Sequence, residues 1–406
     1  MLAAMPPHHP GLVVLTLALA LPLACAGDDD EEEEDYAGVD TPASRHEPAA
    51  SCPASAPVLG SAGTTRVDHF DLAWRSNGYE SYLDDYQYFV IPDDILSILI
   101  AVEQGAEYTA LNGMTIDGEW LVDLPNAIGE APFYHWPVEV ASVTMPISNE
   151  TAAHGGCLAL DPVAYADASG QTGELHIVTR RGDSSASSID VNVFVVGSTD
   201  IAEADVMAAL TRMSEVYAGG GAATIGNVSI ATLDWPDPYV DSEGAEANEL
   251  RATAIGDDPG ALNLLFVQDF NEVGTLGIAA GIPGPNGISG TAASAVMVAV
   301  DTHLDAEGSA LLTDLMGETM AHEIGHQIGL FHTSEGDGVG FDPITDTPEC
   351  TSDFDLDGDD ELTAEECEAA DGRNFMFWSS SDEFGQFEMS PIQSAVLRDS
   401  VIARPQ

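Results

Sequence analysis

His322, Glu323, His326 and His332 carry the chemistry-bearing spacing of this chain, within the run His322-Glu323-Ile324-Gly325-His326-Gln327-Ile328-Gly329-Leu330-Phe331-His332. On a helix, positions i and i+4 share a face, so His322 and His326 can present ring nitrogens to one metal ion with Glu323 beside it. Gly329 can take the left-handed conformation that ends such a helix, and the turn it makes carries His332 to the same point as a third ligand. Three histidines leave one tetrahedral position of a zinc ion open. Water there would lose a proton near neutral pH, and Glu323 stands where it can accept that proton and pass it to a leaving amine. The chemistry implied is peptide hydrolysis by a zinc metalloendopeptidase. A bare HExxH run arises by chance on amphipathic helices; the glycine and third histidine in register set this one apart.

HExxHxxGxxH resembles the metzincin signature, and Asn374-Phe375-Met376-Phe377-Trp378 looks like the methionine-containing turn of those enzymes. His332-Thr333, Asp346-Thr347-Pro348, Asn374-Phe375-Met376 and Met389-Ser390-Pro391-Ile392-Gln393 follow in the order seen in the pappalysin and cytophagalysin group, a resemblance covering about the last half of the chain. It implies zinc ligands at His322, His326 and His332, Glu323 as general base, and Met376 as an apolar floor under the metal. Trp378 stands where many relatives have a tyrosine, and an indole can donate a hydrogen bond but cannot ligate zinc. Relatives in the pappalysin group often prefer a basic residue just after the cleaved bond, for which Asp382 or Glu383 could supply the countercharge.

The elements that must hold these residues read as α+β, with a mixed twisted sheet and a zinc helix. From Ile189 strand and helix alternate. Val191 to Val196 is a near-continuous apolar strand, and Val206, Leu210, Met213 and Tyr217 recur at helical spacing between Asp200 and Gly219-Gly220-Gly221. Val228 to Leu233, Leu262 to Val267 and Ala295 to Val300 are further strands, with a Gly/Pro-rich loop from Gly277 to Gly290. In metzincins the last strand before the zinc helix is an edge strand. Ala295 to Val300 is either that edge, able to bind an extended peptide by strand addition, or an ordinary buried strand. The zinc helix is expected to begin near Ser309, with Leu311, Leu312 and Leu315 on its core face.

Residues 51–183 differ in texture. Short alternating runs such as Tyr88-Phe89-Val90-Ile91, Ser97-Ile98-Leu99-Ile100 and Glu174-Leu175-His176-Ile177-Val178, with Val138 to Met145, predict a mainly β, sandwich-like accessory or pro-domain ahead of a protease domain at 184–406. His69, His135, His154 and His176 are scattered through it and read as surface or satisfied core histidines. Arg181-Gly182-Asp183 marks an exposed turn before a Ser-rich linker.

A second metal signal lies in an insert at 353–366. Asp355, Asp357, Asp359 and Glu366 fall on positions one, three, five and twelve of an EF-hand-like calcium loop, with Glu361 at position seven and Leu362 as the apolar eighth residue. Asp360 occupies position six, where glycine usually makes the turn. The other reading is a solvated acidic insert.

The 69 acidic and 10 basic side chains, all ten of them arginine, give a formal charge of -59 and disfavour nucleic acid and anionic membrane surfaces as partners. Proteins or peptides are the substrates expected. Residues 11–24 form an apolar run too short to span a bilayer comfortably, and Leu23-Ala24-Cys25 looks like the end of a lipoprotein signal peptide. On that reading residues 1–24 are removed, Cys25 is acylated as the only membrane attachment, and residues 25–50 are an acidic tether. A plain secretory signal is the alternative, and export to the cell surface, outer membrane or medium follows either way. Setting Cys25 aside leaves four cysteines, paired by what they bracket as Cys52-Cys157 and Cys350-Cys367. Another possibility is that Cys52 or Cys157 caps the zinc in a latent form. Two other functions compete: an exported surface binding protein with a vestigial zinc site, and a non-proteolytic zinc hydrolase, which the methionine turn disfavours.

Overall fold

The computed structural model describes residues 47–405 apart from 61–64, 77–80, 104–108, 124–138, 147, 149–151, 165–171, 183–186, 243, 259, 273 and 382. The signal peptide, Cys25, most of the acidic tether, His135 and Asp382 lie outside the described residues. The N-terminal unit runs through β1 (Thr65–Ala73), β2 (Arg75–Ser76), β3 (Ser81–Tyr82), β4 (Gln87–Ile91) and β5 (Ile95–Glu103). It continues with β6 (Thr109–Ile116), β7 (Glu119–Asp123), β8 (Val140–Met145), β9 (Gly156–Ala164) and β10 (Thr172–Arg181).

These strands make two antiparallel sheets, one ordered β1-β10-β5-β8 and the other β2-β3-β9-β6-β7 with β4 also paired to β9. Alternation along the strands explains how they stack. Ile98, Ile100, Val102, Leu175 and Ile177 point inward and share one core with Leu111, Met114, Leu158 and Leu160 of the facing sheet. The opposite face of β5 and β10 places Leu99, Ala101 and Val178 in the core of the C-terminal unit. Arg180, fully buried on β10, ties the two units further by donating from Nη1 to Ser400 O at 3.1 Å and from Nη2 to Ser187 Oγ at 3.2 Å.

The C-terminal unit comprises β11 (Ser187–Val196), α1 (Glu203–Gly219), β12 (Thr224–Leu233), β13 (Tyr239–Val240), α2 (Ala245–Thr253) and β14 (Leu262–Val267). After these come β15 (Asp269–Phe270), β16 (Gly277–Ile278), β17 (Ala295–Ala299), α3 (Thr313–Ile328), α4 (Pro391–Asp399) and β18 (Ala403–Pro405). Its main sheet is ordered β12-β11-β14-β17-β16 with β18 also paired to β11, and it is parallel except for β16, antiparallel to β17, and β18, antiparallel to β11. Helices cover both faces, which is why β11, β14 and β17 are apolar almost throughout. Val191, Val193, Leu264 and Val298 face α1 and α3, while Phe194, Leu265 and Met297 face α2.

Of the two readings of Ala295 to Val300, the ordinary buried strand holds: β17 lies between β14 and β16, and the two-residue β16 takes the edge. One expectation needs correction here. The zinc helix starts at Thr313, not near Ser309. Ser309 instead closes a turn, its backbone N and Oγ both bonded to the Asp305 carboxylate. Leu312 is consequently exposed at the N-cap, Leu311 and Leu315 are only partly buried, and the core face belongs to Met316, Met320, Ile324 and Ile328.

His303 joins β17 to α3. Its Nδ1 donates to Ala299 O at 2.6 Å, and Thr319 Oγ1 donates to its Nε2 at 3.0 Å. Burial pushes the ring from its ordinary value of 6.5 down to about 4. Between those pH values the unfolded chain binds more protons than the folded one, so the stability due to neutral His303 is full above pH 6.5 and drains away toward pH 4. Wild type should lose about 2–3 kcal/mol more than His303→Gln between pH 7 and 4.5, measured by denaturant unfolding. Parallel pH dependences in the two proteins would contradict the assignment.

Candidate active site

Helix α3 carries His322, Glu323 and His326 on buried positions, and its end turns on Gly329, whose φ of +123° is a conformation that L side chains rarely adopt. The cap is closed by hydrogen bonds from Gly329 N and Leu330 N to Gly325 O, at 3.1 and 2.9 Å. This reversal brings His332 to the other two imidazoles. One ring nitrogen from each of the three histidines falls within 4.8 Å of the others.

The hydrogen bonds on the outer side of each ring decide which nitrogen faces inward. His322 Nδ1 meets Phe375 O at 2.8 Å and His326 Nδ1 meets Leu330 O at 2.7 Å. A carbonyl only accepts, so both Nδ1 atoms must carry the hydrogen. His332 Nδ1 lies 3.1 Å from each carboxylate oxygen of Glu335, which fixes the same tautomer. All three Nε2 atoms then present lone pairs to one point. His326 Nε2 and His332 Nε2 stand 3.0 Å apart, and His322 Nε2 is buried without a hydrogen-bond partner. Burial, with His332 beside it, pushes His322 down to about 3, and burial holds His326 well below its usual range. Protonation is thus an expensive way to relieve three facing lone pairs, and a divalent cation held by three nitrogens is the arrangement they fit.

Glu323 is fully buried beside this point. Its Oε2 accepts from Ala279 N at 2.8 Å, just past edge strand β16, while Oε1 is buried and free of hydrogen bonds. Burial pushes its carboxyl up to about 8 against the pull of the Ala279 N–H. A neighbouring dication would favour the carboxylate instead.

Met376 is fully buried beneath the helix, so close to Gly325 that a Cβ there would run into its sulfur. Asn374 and Gln393 hold the turn: Asn374 Oδ1 accepts from Met376 N at 2.9 Å, and the two side-chain amides bond reciprocally at 2.9 and 3.2 Å. Ser390 and Gln393 form a capping box on α4, whose Ile392 N also donates to Asp346 Oδ2 at 3.1 Å. Trp378 Nε1 donates to Leu362 O at 2.7 Å, fastening the turn to the acidic insert. Glu318 braces the same region, pairing with Arg212 Nη2 at 2.5 Å and accepting from Gln386 N at 2.8 Å.

A small cavity adjoins His322, lined by Leu315, Thr319, Phe375, Phe377, Ser379 and Gln386 among others. Glu383 is exposed and does not line it. Disulfides join Cys52 to Cys157 and Cys350 to Cys367. With both sulfurs so engaged, neither Cys52 nor Cys157 is free to cap the histidines, which removes the latency possibility. In the insert, Asp355, Asp357 and Asp359 converge to within 4.8 Å, and Glu366 accepts from Leu356 N at 2.8 Å. Glu361 is exposed, its N–H bonded to Asp359 Oδ1.

Residues 187–333 match the family described as Metallo-peptidase family M12B, Reprolysin-like. The match opens with β11 and ends one residue past His332, so it takes in Glu323 and all three histidines and supports a zinc metallopeptidase. No curated protein matches the chain. Among solved structures, metalloproteinase-II from Bacteroides fragilis is 12% identical, over 55% of this chain and 61% of that one, at a TM-score of 0.33. The chain thus spans less than two thirds of that protein, and so low a likeness has no bearing on the site.

Sequence reading missed Glu335, Ala279 and the Asn374–Gln393 pair. A carboxylate three residues past the third histidine was a readable cue for Glu335; a backbone N–H from a distant strand leaves none. His69 and His176, read as scattered, are brought into register on β1 and β10.

Gly325→Ala should cost about 1–3 kcal/mol, because the added methyl displaces Met376 from a packed core. An unchanged urea midpoint at unchanged slope would show that the floor has slack.

Proposed function

We propose that this chain is an exported zinc metalloendopeptidase of the pappalysin and cytophagalysin kind. The observation that carries the reading is three buried imidazoles, their Nδ1 atoms fixed as donors and their Nε2 atoms facing one another, beside a buried carboxylate. His322, His326 and His332 would hold the metal. Zinc held there would supply Lewis acidity, lowering the pKa of a bound water and stabilising negative charge on oxygen.

Glu323 Oε1, the carboxylate oxygen without a hydrogen bond, takes a proton from the attacking water. Ala279 N–H steadies Oε2 and so aims the other oxygen. The proton so taken is then passed to the departing amine. Edge strand β16 ends the sheet beside Glu323, and an extended peptide would add along it. The cavity next to His322, apolar at Phe375 and Phe377 and polar at Ser379 and Gln386, would receive a side chain next to the cleaved bond.

The insert is read as a calcium loop, with Asp355, Asp357, Asp359 and Glu366 as side-chain ligands and Glu361 at position seven. Asp360 takes position six with φ +65°, the left-handed conformation that this turn requires. Export with lipid attachment at Cys25 accords with two disulfides in one chain.

Glu323→Gln should lower kcat/KM on a quenched fluorescent peptide by about 10²–10⁴-fold with zinc content unchanged. Equal activity in the two proteins would remove Glu323 from the mechanism. Calcium should raise the thermal midpoint of wild type and leave that of Asp357→Asn/Asp359→Asn nearly unmoved; equal shifts would put calcium elsewhere.

A further inference from the structure

His69 and His176 are register partners across β1 and β10, on the face of the sheet away from the N-terminal core. Their rings stack with centroids 4.9 Å apart. Glu174, two residues before His176, projects to the same face. Its Oε2 lies 3.5 Å from His69 Nε2 and 3.3 Å from His176 Nε2. One ligand atom from each of the three residues falls within 4.8 Å of the others, and His176 Nε2 is buried without a hydrogen bond of good geometry.

The neighbouring row is all carboxylate. Glu174 is flanked in register by Asp71 on β1 and by Glu103 on β5. Like charges directly opposite on adjacent strands oppose pairing. Burial together with Glu174 and Glu139 raises the Glu103 carboxyl, a local excess of negative charge. Glu103, Glu174 and His176 form one wall of a cleft of about 350 Å³ whose other wall is Ile288 to Thr291 of the C-terminal unit. The cluster therefore sits at the junction of the two units, apart from the zinc helix.

We propose that His69, Glu174 and His176 form a second metal site, for a divalent transition ion and by ligand type for zinc, stapling edge strand β1 to β10. Two imidazole nitrogens and one carboxylate oxygen are a zinc ligand set with a fourth position left for water or Glu103. A shared cation accounts for both rings and the carboxylate meeting at one point. Nothing in this assignment depends on peptide hydrolysis.

Zinc bound to the full chain is measured by elemental analysis and by calorimetric titration, with calcium in excess to saturate the acidic loop. Wild type should hold one equivalent more than either His69→Ala or His176→Ala, and the titration step for that equivalent should vanish in both variants. His69 is exposed, so His69→Ala keeps the test sharp even if His176→Ala fails to fold. Equal zinc content and superimposable titrations in wild type and His69→Ala would overturn the site.

Discussion

Three imidazole lone pairs aimed at one buried point are the constraint on which the C-terminal unit turns. Each ring is held by a different part of the chain: His322 by the carbonyl of Phe375 in the methionine turn, His326 by Leu330 in the helix cap, and His332 by Glu335 in the following loop. Facing lone pairs repel, and burial makes protonation costly. The cost is offset only if a cation fills the point they share, so fold and metal are coupled.

The surrounding elements make sense as supports for that point. A parallel sheet buried on both faces gives α3 a rigid bed, and Tyr217 of α1 reaches across to donate to Ala321 O at 2.9 Å. The methionine turn is locked by Asn374 and Gln393 from below and by Trp378 onto the insert at its side. Asp346 lies far in sequence from Ser390 and Gln393 yet reaches the start of α4 that they cap, by accepting from Ile392 N, which gives a structural reason for the order of these motifs along the chain. Glu323 takes its orientation from the segment just after the shortest strand of the sheet.

Residues related by short spacing are legible in the sequence. His322 and His326 follow from helical period, His332 from a glycine that permits the turn, and the buried strands from continuous apolar runs. Register and neighbourhood are not. Nothing local in Ala295 to Val300 says that two residues near Gly277 will pair outside it. Ser309 does not start the zinc helix, because its hydroxyl is bonded to Asp305 in a turn before it. His69 and His176 have no spacing to read; only the antiparallel register of β1 and β10 joins them. Alternation in the N-terminal unit marked its strands, while their order in two sheets depends on long-range pairing that no short window contains.

The most direct measurement is stoichiometric: zinc per folded chain in the wild-type protein beside His322→Gln/His326→Gln. Wild type should contain one equivalent that the double variant lacks while both retain the same far-UV circular dichroism. Equal zinc in the two would mean that these imidazoles do not hold the ion, and the coupling of fold, metal and chemistry described here would be wrong.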